Sequence, residues 1–154
     1  MNKLSIILTL LICLAMKTTF AQNNEEEAIK KNINQLFDGM RKSDSILVIG
    51  AFNKDAILQT ITKSKDRKVA VRSTDLNEFV KSIAKPHAEI YDERIVFTKI
   101  LIDENLASVW TDYKFYIGER FSHCGVNSFQ LVKIGDSWKI VYLIDTRRKE
   151  SCNF

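Results

Sequence analysis

Proline is almost missing from this chain: Pro86 is the only one, and glycine occurs just five times. With so few breakers there is no flexible linker, so the 154 residues read as one domain. Histidine is equally scarce. His87 and His123 are the two, neither at metal-ligand spacing from a second donor, so no metal is expected. The chain has no Gly-x-Ser-x-Gly elbow and no glycine-rich phosphate loop, which removes the commonest hydrolase and nucleotide signatures. An excess of one charge is wanting too. Lys and Arg number 23 against 19 Asp and Glu, an imbalance too small to argue for nucleic acid.

There is one long apolar run. Leu4 to Met16 follows Met1-Asn2-Lys3 and is closed by Lys17, and Thr19-Phe20-Ala21 puts small residues at the two positions a signal peptidase reads. The run is shorter than the about 20 apolar residues a membrane-spanning helix needs. The sequence therefore predicts a signal peptide over 1–21, cleavage after Ala21, one domain over 22–154, and a secreted or periplasmic protein with no membrane attachment. Cys13 lacks the small preceding residue that lipidation requires and belongs to the leader. Losing Lys3 and Lys17 leaves 21 cationic residues against 19 acidic ones, a formal +2 instead of +4.

What is present is a change of period part-way along. Asn23-Asn24 followed by Glu25-Glu26-Glu27 predicts a helix start, where capping groups and carboxylates suit an electropositive end. Ala28, Ile29, Ile33, Leu36, Phe37 and Met40 then recur three and four apart as one apolar stripe. Ser43-Asp44-Ser45 predicts the cap of a short helix through Ile46 to Ile49, apolar all round and so deeply buried. Ala56 to Thr62 and Arg67 to Arg72 predict a strand pair about a turn at 63–66. Asp75, with Glu78 three residues on, predicts a capping box for a third helix that presents Leu76, Phe79, Val80 and Ile83 and ends at Lys85.

Beyond Pro86 the pattern is that of strands: Ile90 to Ile102, Leu106 to Ile117, Phe121 to Ile134 and Trp138 to Arg148. The last two form a hairpin through Gly135-Asp136-Ser137, and such short links allow only antiparallel neighbours. Gly125, inside the third strand, predicts a bulge. Helices first and a meander after predict an α+β domain with helices on one face of a curved sheet. Large side chains occupy both strand parities, Val109, Tyr113, Phe115, Phe129 and Leu143 on one, Trp110, Tyr116, Trp138, Ile140 and Tyr142 on the other. The second face asks for a partner, and a homodimer through it is expected.

Cys124 and Cys152 are the two thiols left after the leader, in an oxidising setting if the chain is exported. With Ile134 opposite Trp138, Cys124 falls opposite Arg148 and the tail need only curl back for Cys152 to close a disulfide.

The order helix, short helix, strand pair, helix and four-strand meander ending in Gly135-Asp136-Ser137-Trp138-Lys139-Ile140 resembles the nuclear transport factor 2-like superfamily, which includes the SnoaL-like and ketosteroid isomerase-like proteins. Phe121-Ser122-His123-Cys124-Gly125-Val126 and Ile144-Asp145-Thr146-Arg147-Arg148 resemble a secreted bacterial subgroup labelled lumazine-binding. The resemblance covers about residues 25–148 and implies a cone-shaped fold with a pocket between the concave sheet and the first helix. Phe37, Met40, Tyr91 and Trp110 are expected to line it, with Tyr113, His123, Asp145 and Arg147.

The expected function is binding of a small apolar or aromatic molecule without cofactor or turnover. One alternative is a cofactor-independent SnoaL-like or isomerase-like enzyme with His123 or Asp145 as base and Tyr113 as hydrogen-bond donor. Another is a protein-interaction module using the outer sheet face around Trp110 and Tyr116. Arg147-Arg148-Lys149 reads as a solvated tail, with an anion gripped by Arg147 as the sharper option.

Overall fold

The computed structural model describes the backbone of residues 3–64, 66 and 68–154, with side chains from residue 23 onward. The expected signal peptide thus lies outside the residues whose side chains are described, as do Lys65 and Arg67 of the predicted turn and strand. Among the described residues no helix is long and apolar enough to cross a membrane.

Among the described residues, three helices and six strands follow in the order α1 (Lys3–Lys42), α2 (Ser45–Ala51), β1 (Phe52–Lys63), β2 (Val69–Thr74), α3 (Leu76–Ala84), β3 (Tyr91–Asp103), β4 (Leu106–Ile117), β5 (Arg120–Ile134) and β6 (Ser137–Thr146). One sheet contains every strand, in the order β2-β1-β6-β5-β4-β3. The meander from β3 to β6 is antiparallel throughout, whereas β1 joins β6 in parallel. That parallel pairing needs a long crossover, which α3 and the β3–β5 meander supply.

The stripe on α1 packs as its spacing demands. Ile29, Ile33, Leu36, Phe37 and Met40 are buried against Val109, Phe129, Leu131 and Ile140 of the sheet. Ala28 is exposed, one position outside the stripe. The helix does not begin at Asn23 either: it is continuous from Lys3, so Glu25 sits within it. Instead of capping, Glu25 accepts from Lys133 Nζ at 2.5 Å and Trp138 Nε1 at 2.8 Å, tying α1 to the last hairpin.

Asp44 caps α2 by accepting from Ile46 N and Leu47 N. The expected deep burial of α2 is wrong. Val48 and Ala51 are buried, but Ile46 is 79% exposed and Ile49 37%, because a helix of one or two turns has a single side to offer the core. Asp75 caps α3 through Glu78 N, and Leu76 and Ile83 close that face of the core.

Bulges decide which residues face inward. An extra residue stands at Thr98 in β3, at Ser122 in β5 and at Val141 in β6, and each bends its strand and adds twist. The bulge at Val141 turns Trp138 and Ile140 inward with Leu143, so these two belong to the core and not to the outer face as strand parity alone implied. Gly125 is not bulged: it pairs in register with Tyr113. A Cβ there would stand 1.8 Å from Thr146 O and 2.7 Å from Tyr113 Cε1. Glycine is required by close approach. Gly125→Ala should cost about 1–3 kcal/mol, the range for overpacking, and the expected lower midpoint is read by denaturant melting.

Cys124 and Cys152 form the disulfide, with Cα atoms 5.8 Å apart. Cys124 and Arg148 exchange both backbone hydrogen bonds at 2.8 Å, forming the bridge that presents the tail to Cys124.

Candidate functional site

A cavity of about 220 Å³ opens between α1, α3 and the inner face of the sheet. Its walls are apolar: Leu36, Phe37 and Met40 from α1, Phe79 and Ile83 from α3, and Tyr91, Phe115 and Leu143 from the strands. Polar groups gather where β1, β6, β5 and β3 contribute inward residues, namely Thr60, Asp145, Asn127 and Glu93. Such apolar walls with a few convergent polar groups are the usual make-up of small-ligand sites, and the volume lies just below the about 300–1,000 Å³ common for them.

The ladder explains the cluster. Thr60 lies beside Asp145 on the parallel pair, and Asp145 lies opposite Asn127 on the antiparallel one, so three strands put one row of polar side chains on the same face. Asp145 accepts from Thr60 Oγ1 at 2.5 Å and from Arg147 Nε at 2.9 Å. Tyr113 Oη stands 3.2 Å from the same carboxylate and donates to Thr146 O at 2.8 Å. The Asp145 carboxylate is therefore held in a network, beyond the surface ion pair that its neighbouring arginines imply.

Asn127 Nδ2 donates to Glu93 Oε1 at 2.7 Å. Removal from water raises the Glu93 carboxyl to about 7; the Asn127 bond and Arg147 oppose that rise, and the Asp145 charge adds to it. A carboxyl raised toward neutrality and facing a cavity is chemically able to give and take a proton there. Burial also raises the Tyr113 phenol, helped by Glu93 and Asp145, so Tyr113 stays protonated. The His123 imidazole is lowered by burial and by the nearby Arg147 charge, which favours the neutral ring.

Seven of the eight residues expected in the pocket line it: Phe37, Met40, Tyr91, Tyr113, His123, Asp145 and Arg147. Trp110 does not. It is 48% exposed on the opposite face, because Val109 and Thr111 on either side point inward and a strand alternates. His123 and Asp145 both reach the cavity, yet no hydrogen bond joins them. His123 Nδ1 is paired with Ser122 Oγ at 3.0 Å, and its ring packs on Tyr113 and Phe115. The Tyr113 hydroxyl proton is already directed at Thr146 O, which leaves it none to offer a ligand.

Sequence reasoning missed Glu93, Asn127 and Thr60. A signal for Glu93 was available: Tyr91, Ile95 and Phe97 share its parity, so a carboxylate stands on the apolar side of β3. Among the described residues no group of three His, Cys, Asp or Glu side chains is placed to hold a metal.

The family model described as Putative lumazine-binding matches residues 24–143, from Asn24 within α1 to Leu143 at the cavity wall. The chain belongs to this family. The fold is shared with solved structures described as NTF2-like. An NTF2-like protein from Shewanella baltica is 19% identical with TM-score 0.65, over 82% of this chain and 96% of that one. An NTF2-like protein with a cystatin-like fold from Novosphingobium aromaticivorans is 9% identical with TM-score 0.71, over 88% and 90%. A protein of unknown function from Mycobacterium tuberculosis is 16% identical with TM-score 0.65, over 86% and 76%. At these identities the likeness is one of fold. No curated protein matches the chain.

Proposed function

We propose that this member of the putative lumazine-binding family holds a small, flat, largely apolar molecule in the cavity, with the hydrogen-bonding edge of the molecule turned to Glu93, Asn127 and Asp145. The observation that carries this reading is the division of the cavity into apolar walls and one polar end. Lumazine, the compound in the family's name, has that make-up: a fused heteroaromatic pair of rings edged with amide-like donors and acceptors. Titration followed by lumazine fluorescence tests it. The expected result is saturable binding that Met40→Trp, which fills the cavity, abolishes; binding that survives a filled cavity overturns the reading.

We further propose that the domain is exported after cleavage behind Ala21 and pairs with a second copy through the outer sheet face. Support comes from the leader-like N-terminus, the disulfide, and the exposed Ile57, Val96, Trp110 and Phe121. Native mass spectrometry of protein from its own host reports cleavage, subunit count and any retained metabolite together.

A second reading, cofactor-independent acid–base catalysis, is favoured by the Glu93 carboxyl at about 7. In it Glu93 takes the role that sequence reasoning gave to His123 or Asp145. Glu93→Gln separates the two: it keeps an acceptor for Asn127 but carries no exchangeable carboxyl proton, so ligand is retained while turnover is lost.

A further inference from the structure

A second depression, of about 380 Å³, adjoins the cavity at the end of the sheet, bounded by Arg120, Ser122, His123, Arg147, Arg148 and Lys149. His123 and Arg147 line both spaces, so the two meet at a shared wall. Four of the side chains around this cleft are cationic and none is a carboxylate. The Arg147 charge is met by Asp145 at 2.9 Å. The other three are not balanced: among the described residues none of Arg120, Arg148 and Lys149 has an ionic partner. Arg148 spends its donors on neutral acceptors, Ser151 O at 2.9 Å and Asn153 Oδ1 at 3.2 Å.

The cleft is constructed by the chain and is not a chance gathering of tail charges. Paired backbone bonds between Cys124 and Arg148, with the disulfide from Cys124 to Cys152, clip 147–149 alongside 123–125, at the depression that residues 120–123 also line. Cations are thereby held near one another against their repulsion, an arrangement that an anion relieves.

We infer that the ligand of this cavity carries an anionic group, a phosphate or carboxylate, that sits in the basic cleft between Arg120, Arg147 and Lys149 while its ring system occupies the cavity. This rests on the small-molecule reading above and names the class of molecule: an acidic derivative of a flat ring compound. His123, at the shared wall, offers its imidazole to the junction between ring and acid.

Three fluorescent probes of one ring system test it: β-naphthol, β-naphthoate and β-naphthyl phosphate, titrated into the full disulfide-bonded domain at low salt. The expected result is that at least one anion binds about tenfold more tightly than β-naphthol. In the Arg120→Gln/Lys149→Gln double variant that advantage falls to within about twofold, with β-naphthol affinity unchanged as the control for folding. Which anion gains more distinguishes carboxylate from phosphate recognition, and inorganic phosphate should compete with the favoured one. Equal affinity of all three probes, or a preference that survives the double variant, overturns the inference while leaving the cavity as a binding site. If no probe binds, the small-molecule reading falls and the inference with it. Anionic vesicles that bind the protein while the probes do not would assign the cleft to a membrane surface instead.

Discussion

Replacing Cys152 with serine is expected to lower the stability of the domain by about 3–4 kcal/mol, the chain-entropy value for a disulfide closing a loop of this length. The separation between the two cysteines is 28 residues, long enough for the unfolded chain to gain much freedom when the link is cut. Cys152 is the one to change because Cys124 is 1% exposed and serine there would bury a hydroxyl. What remains to hold the tail is slight. Asn153 donates to Asp112 at 2.6 Å, Lys114 lies 5.0 Å from the Phe154 ring, and one backbone pair joins Arg148 to Cys124. Denaturant melts with and without reductant provide the measurement: reductant should bring the native chain down to the variant and leave the variant where it was. A native chain indifferent to reductant would refute the link. Because the same clip presents Lys149 to the cleft, the variant should also lose part of its preference for anionic probes.

The pairing of these cysteines was legible in the sequence, though partly through offsetting errors. Placing Ile134 opposite Trp138 predicts Cys124 opposite Arg148, and that bridge is present. Yet Ile134 lies opposite Ser137, one residue off, and the extra residue at Val141 restores the register further along. A bulge leaves little mark in sequence because its cause is the curvature of the whole sheet, not the preference of one residue. The same unseen residue misplaced Trp138 and Ile140, whereas Val109, Tyr113 and Phe129 followed simple alternation.

The apolar half of the cavity was readable for a related reason. Phe37 and Met40 obey helical spacing and Tyr91 obeys strand parity, so each side chain's direction follows from local rules. The polar half depends on neighbours that only the assembled sheet supplies. Asp92-Glu93-Arg94 looks like a charged surface run, and two of its members are just that: Arg94 pairs with Asp92 at 2.7 Å. Between them Glu93 points the other way, to Asn127 on a strand two places across the sheet.

The carboxyl of half-buried Glu93 yields the second large effect, and its sign is opposite to the first. The Glu93 carboxyl stands at about 7 against an ordinary 4.5, so the folded protein holds this proton more tightly than the unfolded chain does. For such a group the stabilising contribution is complete below 4.5 and is lost as pH rises toward 7. A rise of this size corresponds to about 3 kcal/mol. Glu93→Gln, neutral at every pH and able to accept the same bond from Asn127, should therefore be more stable than the native chain by about 3 kcal/mol above pH 7, with the gap closing below 4.5. Denaturant melting of both proteins across that window checks it, and taking the difference removes groups with the contrary sign, such as Glu25 and Asp92, whose carboxyls are lowered by their cationic partners. A pH-independent gap would place the Glu93 carboxyl in water. On the reading proposed above, this cost in stability is offset by what the carboxylate does to a molecule in the cavity.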